Sequence, residues 1–466
     1  MQIQIDLTLL LPQLFLLIWT IGIFIVDFFS EGEDKSHIGY LSIIGLIITA
    51  LISISSKQGT TFFGAFRADS FGLSFNVIFI GTAILTIASA IDYAKLKLRH
   101  HGEFYGLILL ATVGMMFLAA AGDLLTLYVS LELSTITLFV LAAYMKKDIK
   151  STEAGLKYLI LGAASSGIML YGISLLYGIT GSVALDVIGM RLAGMFTISP
   201  LFILSLVFII AGLSFKLAAV PFHMWCPDVY EGAPTPVTAY LSVASKAAGL
   251  AALMRIFFES LIYNADQWIP LIMALAAMAM VLGNVVAVRQ HNIKRLLAYS
   301  SIAQVGYILV GFIAVSELAT TSIIFYLVAY MFANIGAFLV VIAFYNRSGS
   351  DEIVAYAGLS RRSPYMAISM VVFLLSLVGI PATAGFIGKF YLFAAAIEKG
   401  YYWIVVLGVL TSVISLWYYM TIAYQMYFKT GEDQSKISLN PTLAIAIAIA
   451  LAGTIFIGIY PEPVLS

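Results

Sequence analysis

The chain has 466 residues, 62% of them hydrophobic and 10% charged, with a mean hydropathy of +1.02. Soluble globular proteins carry about 25% charged residues, so this composition excludes a water-soluble enzyme, a nucleic-acid binder and a disordered scaffold. Twenty-four Lys+Arg balance 24 Asp+Glu, which leaves no basic surface for polyanions, and the reading is an integral membrane protein whose solvent is the lipid bilayer.

The single cysteine, Cys226, excludes a disulfide framework, an iron–sulfur cluster and a thiolate metal site within this chain. The five histidines, His37, His100, His101, His223 and His291, never fall at a metal-ligand spacing on one helix face. No cofactor or metal is therefore expected in this chain, and any redox chemistry it serves belongs to other polypeptides.

A helix that crosses the hydrocarbon core needs about 20 apolar residues. Such runs lie in chain order at 7–29, 38–56, 71–91, 104–121, 124–145, 156–180, 198–219, 236–258, 268–288, 296–315, 319–345, 366–398, 402–428 and 440–460. The first lacks a basic leader and a small-residue cleavage site, so it reads as a retained span. The run at 366–398 is long and interrupted by Pro381, Gly385 and Gly388, which makes it one broken helix. The fold class is thus an all-α membrane protein of about 14 transmembrane helices, one polytopic domain over 1–466 with no soluble domain between spans.

Basic residues set the orientation. Loops after odd-numbered spans hold Lys35; Lys95, Lys97 and Arg99; Lys146, Lys147, Lys150 and Lys157; Arg289, Lys294 and Arg295; Arg347, Arg361 and Arg362; and Lys429 and Lys436. The opposite loops hold only Lys57, Arg67, Arg191 and Lys399. The positive-inside rule places the rich side in the cytoplasm and both termini on the outer face, with a bacterial plasma membrane as the expected location.

Five charged residues interrupt the apolar runs: Glu132, Lys216, Lys246, Arg255 and Lys389. A charge at mid-bilayer costs at least about 2.5–3.5 kcal/mol on insertion scales and usually marks an ion pathway. Arg255 lies near the end of its span, where a long side chain can snorkel. Asp27 and Asp123 lie at span edges, where water can solvate them. Lys216 is followed by Pro221, which lacks an N–H and leaves the carbonyl of Leu217 without its helical partner. A free carbonyl at membrane depth is tolerated only inside protein or beside a wet cavity. Lys389 repeats the arrangement behind Pro381, Gly385 and Gly388, so the seventh and twelfth helices are both expected to be discontinuous.

The two halves echo each other. Glu132 precedes Lys216 by 84 residues and Gln304 precedes Lys389 by 85. Paired interrupted helices point to inverted repeats around a transport site, here two five-helix repeats over about 104–258 and 268–428, flanked by helices in 1–91 and 440–460. Desolvation favours the neutral form of an amine, and a neighbouring carboxylate favours its ammonium. A carboxylate that approaches and withdraws from a buried lysine therefore makes it take up and release a proton. No G-x-x-x-x-G-K-[ST] nucleotide loop is present, so such a chain is a passive exchanger or a driven subunit.

Three stretches carry a family resemblance: GLSFKLAAVPFHMWCPDVYEGAPTPVTAYLSVASKAAGLAAL (212–253), GNVVAVRQHNIKRLLAYSSIAQVGY (283–307) and GIPATAGFIGKFYLF (379–393). The chain resembles the subunit N family of antiporter-like membrane subunits in proton-translocating NADH:quinone oxidoreductase, respiratory complex I. The resemblance implies that Glu132 and Lys216 form the pair that modulates proton affinity, that Lys246 is the central relay, and that Lys389 lies near the outward exit. It also implies partners: a neighbouring antiporter-like subunit and small membrane subunits of the complex, with NADH (or another donor) and quinone handled by other subunits. The sister subunit M usually carries glutamate where this chain has Lys389, and the sister subunit L carries a long lateral helix for which the chain leaves no room after Tyr460.

One position departs from the pattern. Many relatives have a histidine where this chain has Gln304, and glutamine does not titrate near neutral pH; a hop there would need water or a tyrosine, with Tyr299 and Tyr307 as the candidates. His223, two residues past Pro221, is either a relay or a satisfied interfacial histidine. The PDVYEGAPTPV loop is either a gating contact or a connector that caps the break in span seven. Two rival functions stay open at this stage. One is a subunit of a multi-subunit cation/proton antiporter without redox chemistry; the other is a purely structural bridge between neighbouring subunits.

Overall fold

A computed structural model describes residues 5–32, 34–98, 100–194, 199–431, 433 and 435–465. Arg99, one of the basic loop residues, lies outside the described residues. Among the described residues thirteen helices are long and apolar enough to cross a membrane, and a pair of shorter half-helices stands beside them. In order they are α1 (Leu11–Phe29), α2 (Ser36–Ser55), α3 (Ser70–Lys97), α4 (His101–Ala119), α5 (Leu124–Ala142), α6 (Ile149–Thr180), then, past the short amphipathic α7 (Leu185–Ala193), α8 (Pro200–Leu217). After α9 (Trp225–Gly232) come α10 (Thr235–Ser260), α11 (Ile262–Ala287), α12 (Ile293–Phe312) and α13 (Glu317–Ser348). The broken twelfth span is a pair, α14 (Pro364–Val378) and α15 (Ala384–Glu398), and α16 (Tyr402–Phe428) and α17 (Pro441–Ile459) complete the set. The chain is an integral multi-pass membrane protein. A two-stranded hairpin, β1 (Gly59–Thr61) and β2 (Phe66–Ala68), joins α2 to α3.

Local chemistry sets the helix ends. Asp123 caps α5 by accepting from Thr126 N at 2.7 Å, and Asn292 caps α12 by accepting from Lys294 N and Arg295 N. Asp27 pairs with Lys35 at 2.6 Å. Both edge acids therefore have defined partners. Helix α6 begins about two turns before the predicted apolar run, because its first turns are a solvated face carrying the Glu153–Lys157 ion pair.

The chain divides into two compact units. The first comprises Met1–Ile87, Leu98–Leu217 and Ala244–Ile272; the second comprises Ala88–Lys97, Ala218–Val243 and Met273–Ser466. In the first, α6 packs along α8, α4 along α5, and α1 along both α2 and α4. In the second, the N-terminal part of α13 packs on α15, α14 on α16, and α12 on α9 and α15. Helices α10, α12 and α13 are almost wholly enclosed, whereas α1, α2, α6 and α16 turn apolar side chains such as Ile18, Leu51, Tyr171 and Trp417 outward. That outward apolar surface is what lipid tails cover.

Both discontinuities are present. Span seven stops at Leu217, with Ala218 in the left-handed region (φ 57°), and resumes as α9. Span twelve stops at Val378, with Gly379 left-handed (φ 92°), and resumes as α15. Among the described residues three π-turns occur: Leu241–Ser245 interrupts α10, Arg255–Ser260 ends it, and Met331–Ile335 interrupts α13. In the second unit the first and third of these bond each other, Asn334 Nδ2 donating to Ser242 Oγ at 2.6 Å. Single π-turns inside α-helices often accompany functional sites.

Candidate functional site

The four basic groups of the apolar runs are buried, and Glu132 is half-buried. Lys216, Lys246 and Lys389 are 3%, 2% and 5% exposed, which sets them apart from lysines whose heads reach water at the interface. Each sits at an irregularity of its helix. Lys216 is the penultimate residue of α8, Lys246 directly follows the Leu241–Ser245 π-turn, and Lys389 occupies the second turn of α15.

In the first unit, Lys216 Nζ donates to Thr135 Oγ1 at 2.7 Å. Thr135 lies three residues after Glu132 on the same face of α5. The half-buried Glu132 carboxylate does not close on the lysine: no Glu132–Lys216 ion pair within 4 Å occurs among the described residues. Glu132 Oε1 instead accepts a hydrogen bond from Ser166 Oγ of α6, whose oxygen is also 2.8 Å from Tyr128 OH. The acid is thus held by a hydroxyl pair on one side while the amine is held by a hydroxyl on α5. In a low-dielectric interior the attraction of the ion pair exceeds a bond to a neutral hydroxyl, so closure of the acid on the amine would offset the hydroxyl bonds it breaks.

In the second unit, Lys389 has a different partner set. The last carbonyls of a helix have no intrahelical N–H, and α14 ends against this side chain. Lys389 Nζ donates to Leu377 O at 3.1 Å and Val378 O at 2.9 Å, with Ser412 Oγ at 3.4 Å. Its Nζ also lies over the Tyr307 ring, 4.2 Å from the centroid. Among the described residues no carboxylate pairs with it; the negative end of the α14 dipole, the free carbonyls and the ring face hold it instead. The close approach of α15 to α14 that makes this possible depends on Gly385, whose N–H donates to Ser376 Oγ at 3.1 Å.

Gln304 belongs to the same cluster. Its Nε2 donates to Leu377 O at 2.9 Å, the carbonyl that Lys389 also uses, and its Oε1 accepts from Tyr326 OH. Tyr307 OH accepts from Asn284 Nδ2 at 2.9 Å, and Tyr418 OH donates to Asn284 Oδ1 at 3.1 Å. Tyr419, tilted against Tyr418 with ring centroids 4.4 Å apart, bonds Ser300 through its hydroxyl. The structure therefore brings Gln304, Tyr307 and Lys389 together. Tyr299 is half-buried and takes no part in these hydrogen bonds. Sequence reasoning missed Tyr326, Asn284, Tyr418 and Tyr419; of these only Asn284, an amide within an apolar run, gave a signal.

His223 is buried in the turn after Pro221, and its Nδ1 has no hydrogen-bond partner among the described residues. The PDVYEG segment that follows is mostly helical as α9. Arg295 at the start of α12 donates from Nη1 to both Asp228 Oδ1 (2.9 Å) and Glu231 Oε2 (3.0 Å), strapping α9 to α12. Arg255 does not snorkel. It is 4% exposed, donates to Asp69, Glu259 and Ala119 O, and lies 4.4 Å from the Phe71 ring centroid. Its partners Asp69 and Glu259 lie where the hairpin and the Arg255–Ser260 π-turn meet, and Arg67 closes the cluster by bonding Glu259 at 2.7 Å.

Residues 121–415 match the model of a family described as "NADH:quinone oxidoreductase/Mrp antiporter, TM". The chain is 47% identical over 446 residues to the NADH-quinone oxidoreductase subunit N of Moorella thermoacetica, covering 95% of this chain and 93% of that one. Among solved structures it matches a chain of respiratory complex I from Thermus thermophilus with bound aureothin, with a TM-score of 0.83, 31% identity, and 97% and 98% of the two chains covered. A chain of the Mrp complex from Dietzia shares the fold, with a TM-score of 0.85 at 20% identity over 99% and 96% of the chains.

Proposed function

The chain belongs to the NADH:quinone oxidoreductase/Mrp antiporter membrane family, and from that premise we propose that it is a proton-carrying membrane subunit of a redox-driven pump of the complex I type. The observation that carries this reading is the pair of amines, Lys216 and Lys389, each buried at a break in a spanning helix and neither salt-bridged among the described residues. An amine held by hydroxyls and carbonyls has acceptors for its proton and no fixed counter-ion, which is what a relay requires.

In the first half, movement of α8 relative to α5 would carry Lys216 from Thr135 toward Glu132, so that the lysine takes up a proton near the carboxylate and releases it on withdrawal. Lys246, in the span that follows, would pass the proton toward the second half. There the Tyr326–Gln304 pair and Tyr307 flank Lys389, and the proton would leave from that lysine to the outer face. Glutamine can reorient and tyrosine can both donate and accept, so this route needs no titrating histidine. The energy would come from quinone reduction in partner subunits; with one cysteine and no metal-ligand spacing of histidines, this chain is assigned neither electrons nor quinone. Both termini would face outward in a bacterial plasma membrane, consistent with the basic loops.

The test is the ratio of two activities of the native complex in sealed vesicles. Lys216→Ala and Glu132→Gln are expected to cut proton translocation severalfold per quinone reduced. Wild-type pumping in both variants at wild-type quinone turnover defeats the relay. A chain that co-migrates with sodium-dependent exchange and no quinone reductase would move the assignment to a cation/proton antiporter.

A further inference from the structure

Three helices of the first unit each bring one polar side chain to a common space. Gln13 of α1, Ser53 of α2 and Asn76 of α3 are 3%, 5% and 6% exposed, and Gln13 Oε1, Ser53 Oγ and Asn76 Oδ1 have no hydrogen-bond partner among the described residues. All three line one cavity of about 100 Å³ on the hairpin side of the unit, together with Arg67 and Asp69. Asn76 lies six residues into α3, roughly 9 Å below its start at 1.5 Å per residue.

Buried oxygens without partners are rare, and three that converge on one space call for a guest that donates hydrogen bonds. A metal or ammonium cation is disfavoured, because Arg67 and Lys57 line the same cavity and Arg255 lies 2.7 Å from Asp69. The acids are already matched, Asp69 by Arg255 and Glu259 by both arginines. A lipid tail donates nothing and would leave all three oxygens unsatisfied. The guest that remains is neutral and small and both donates and accepts. At roughly 30 Å³ per molecule the space holds at least three waters.

We propose that this cavity is a water-filled port: a cluster of ordered waters held by Gln13, Ser53 and Asn76 that joins the surface at Lys57 and Gln58 to the Asp69–Arg255–Glu259–Arg67 charge cluster. The port brings water roughly 9 Å below the start of α3 and hydrates the cavity side of the part-exposed Asp69 and Arg67. It does not depend on the pumping role assigned to Lys216 and Lys389.

Cysteine accessibility in the intact complex tests it, since the lone native cysteine, Cys226, is fully buried. Asn76→Cys and Ser53→Cys should react with a charged, water-borne methanethiosulfonate at least about tenfold faster than Leu51→Cys, which lies on the outward apolar surface of α2 close to Ser53. Equal or slower reaction at position 76 in an assembled complex overturns the proposal. Should the variants fail to assemble, radiolytic hydroxyl footprinting of the wild-type complex decides. Radicals form where water is bound, so Leu73, on the cavity wall, should oxidise several times faster than Leu51; equal rates mean the cavity is dry.

Discussion

Gly385→Ala should uncouple pumping without touching any charged residue. A Cβ on Gly385 would lie 1.9 Å from Ser376 O and 2.8 Å from its carbonyl carbon. Real Cβ contacts do not fall below 3.0 Å, so the two half-helices must part by roughly 1.1 Å at a point where the obstacle is backbone and cannot swing aside. Lys389 lies one turn further along α15, and its bonds to Leu377 O and Val378 O are 3.1 and 2.9 Å. A displacement of about 1 Å takes both beyond hydrogen-bonding distance. Hydrogen bonds to charged groups are worth about 1.5–3 kcal/mol each. Losing two costs the ammonium about 3 kcal/mol at the lower value, a factor of more than 10² in its occupancy of that position. Overpacking adds its own cost of about 1–3 kcal/mol, so a modest drop in assembly should accompany the effect. The assay is the ratio of proton uptake to quinone reduction in proteoliposomes, with Gly167→Ala as control, since a Cβ there meets nothing within 4 Å. A wild-type ratio in assembled Gly385→Ala complex would refute the idea that the carbonyl end of α14 holds the lysine for the relay.

The positions of the lysines were legible because a charge in an apolar run is costly, and the breaks because Pro and Gly remove helical bonds. The seventh break still arrives before the proline that signals it, at Leu217 rather than Pro221, since Pro221 cannot donate back to Leu217 and the chain turns where that bond would have formed. The partners of the lysines were not legible. Thr135, Ser166 and Tyr326 belong to residue types common in any membrane helix, and only the packing of α5, α6, α8 and of α12, α13, α15 selects these three. Arg255 differs for a related reason: nearness to a span end suggested water, while one of its two acids, Asp69, lies 186 residues away in sequence. The π-turns left no sequence trace, because they change the hydrogen-bond register and not the apolar pattern.

Two further perturbations separate a structural cluster from a functional one. Arg255→Leu leaves the part-exposed Asp69 and the carbonyl of Ala119 without their arginine donor and weakens the hold on Glu259, which keeps Arg67; hydrogen bonds to charged groups are worth about 1.5–3 kcal/mol each, so the yield and melting midpoint of the complex should fall while the ratio of pumping to turnover in surviving complex stays near wild type. A normal midpoint would show that the cluster is solvated and adds little. Tyr326→Phe makes the opposite prediction. It keeps the ring's packing and removes only the hydroxyl that donates to Gln304 Oε1, leaving a buried amide oxygen unsatisfied at about 1–3 kcal/mol. The amide then gains nothing from holding its present orientation, and the bond from its Nε2 to Leu377 O, shared with Lys389, loosens with it. Pumping per quinone should fall severalfold with a loss of stability no larger than that penalty, and Gln304→Glu, which restores a titrating group beside the lysine, should recover part of it in the Tyr326→Phe background. An unchanged ratio in Tyr326→Phe would mean that protons reach Lys389 by way of Tyr307 or water and that the Tyr326–Gln304 pair only fills space.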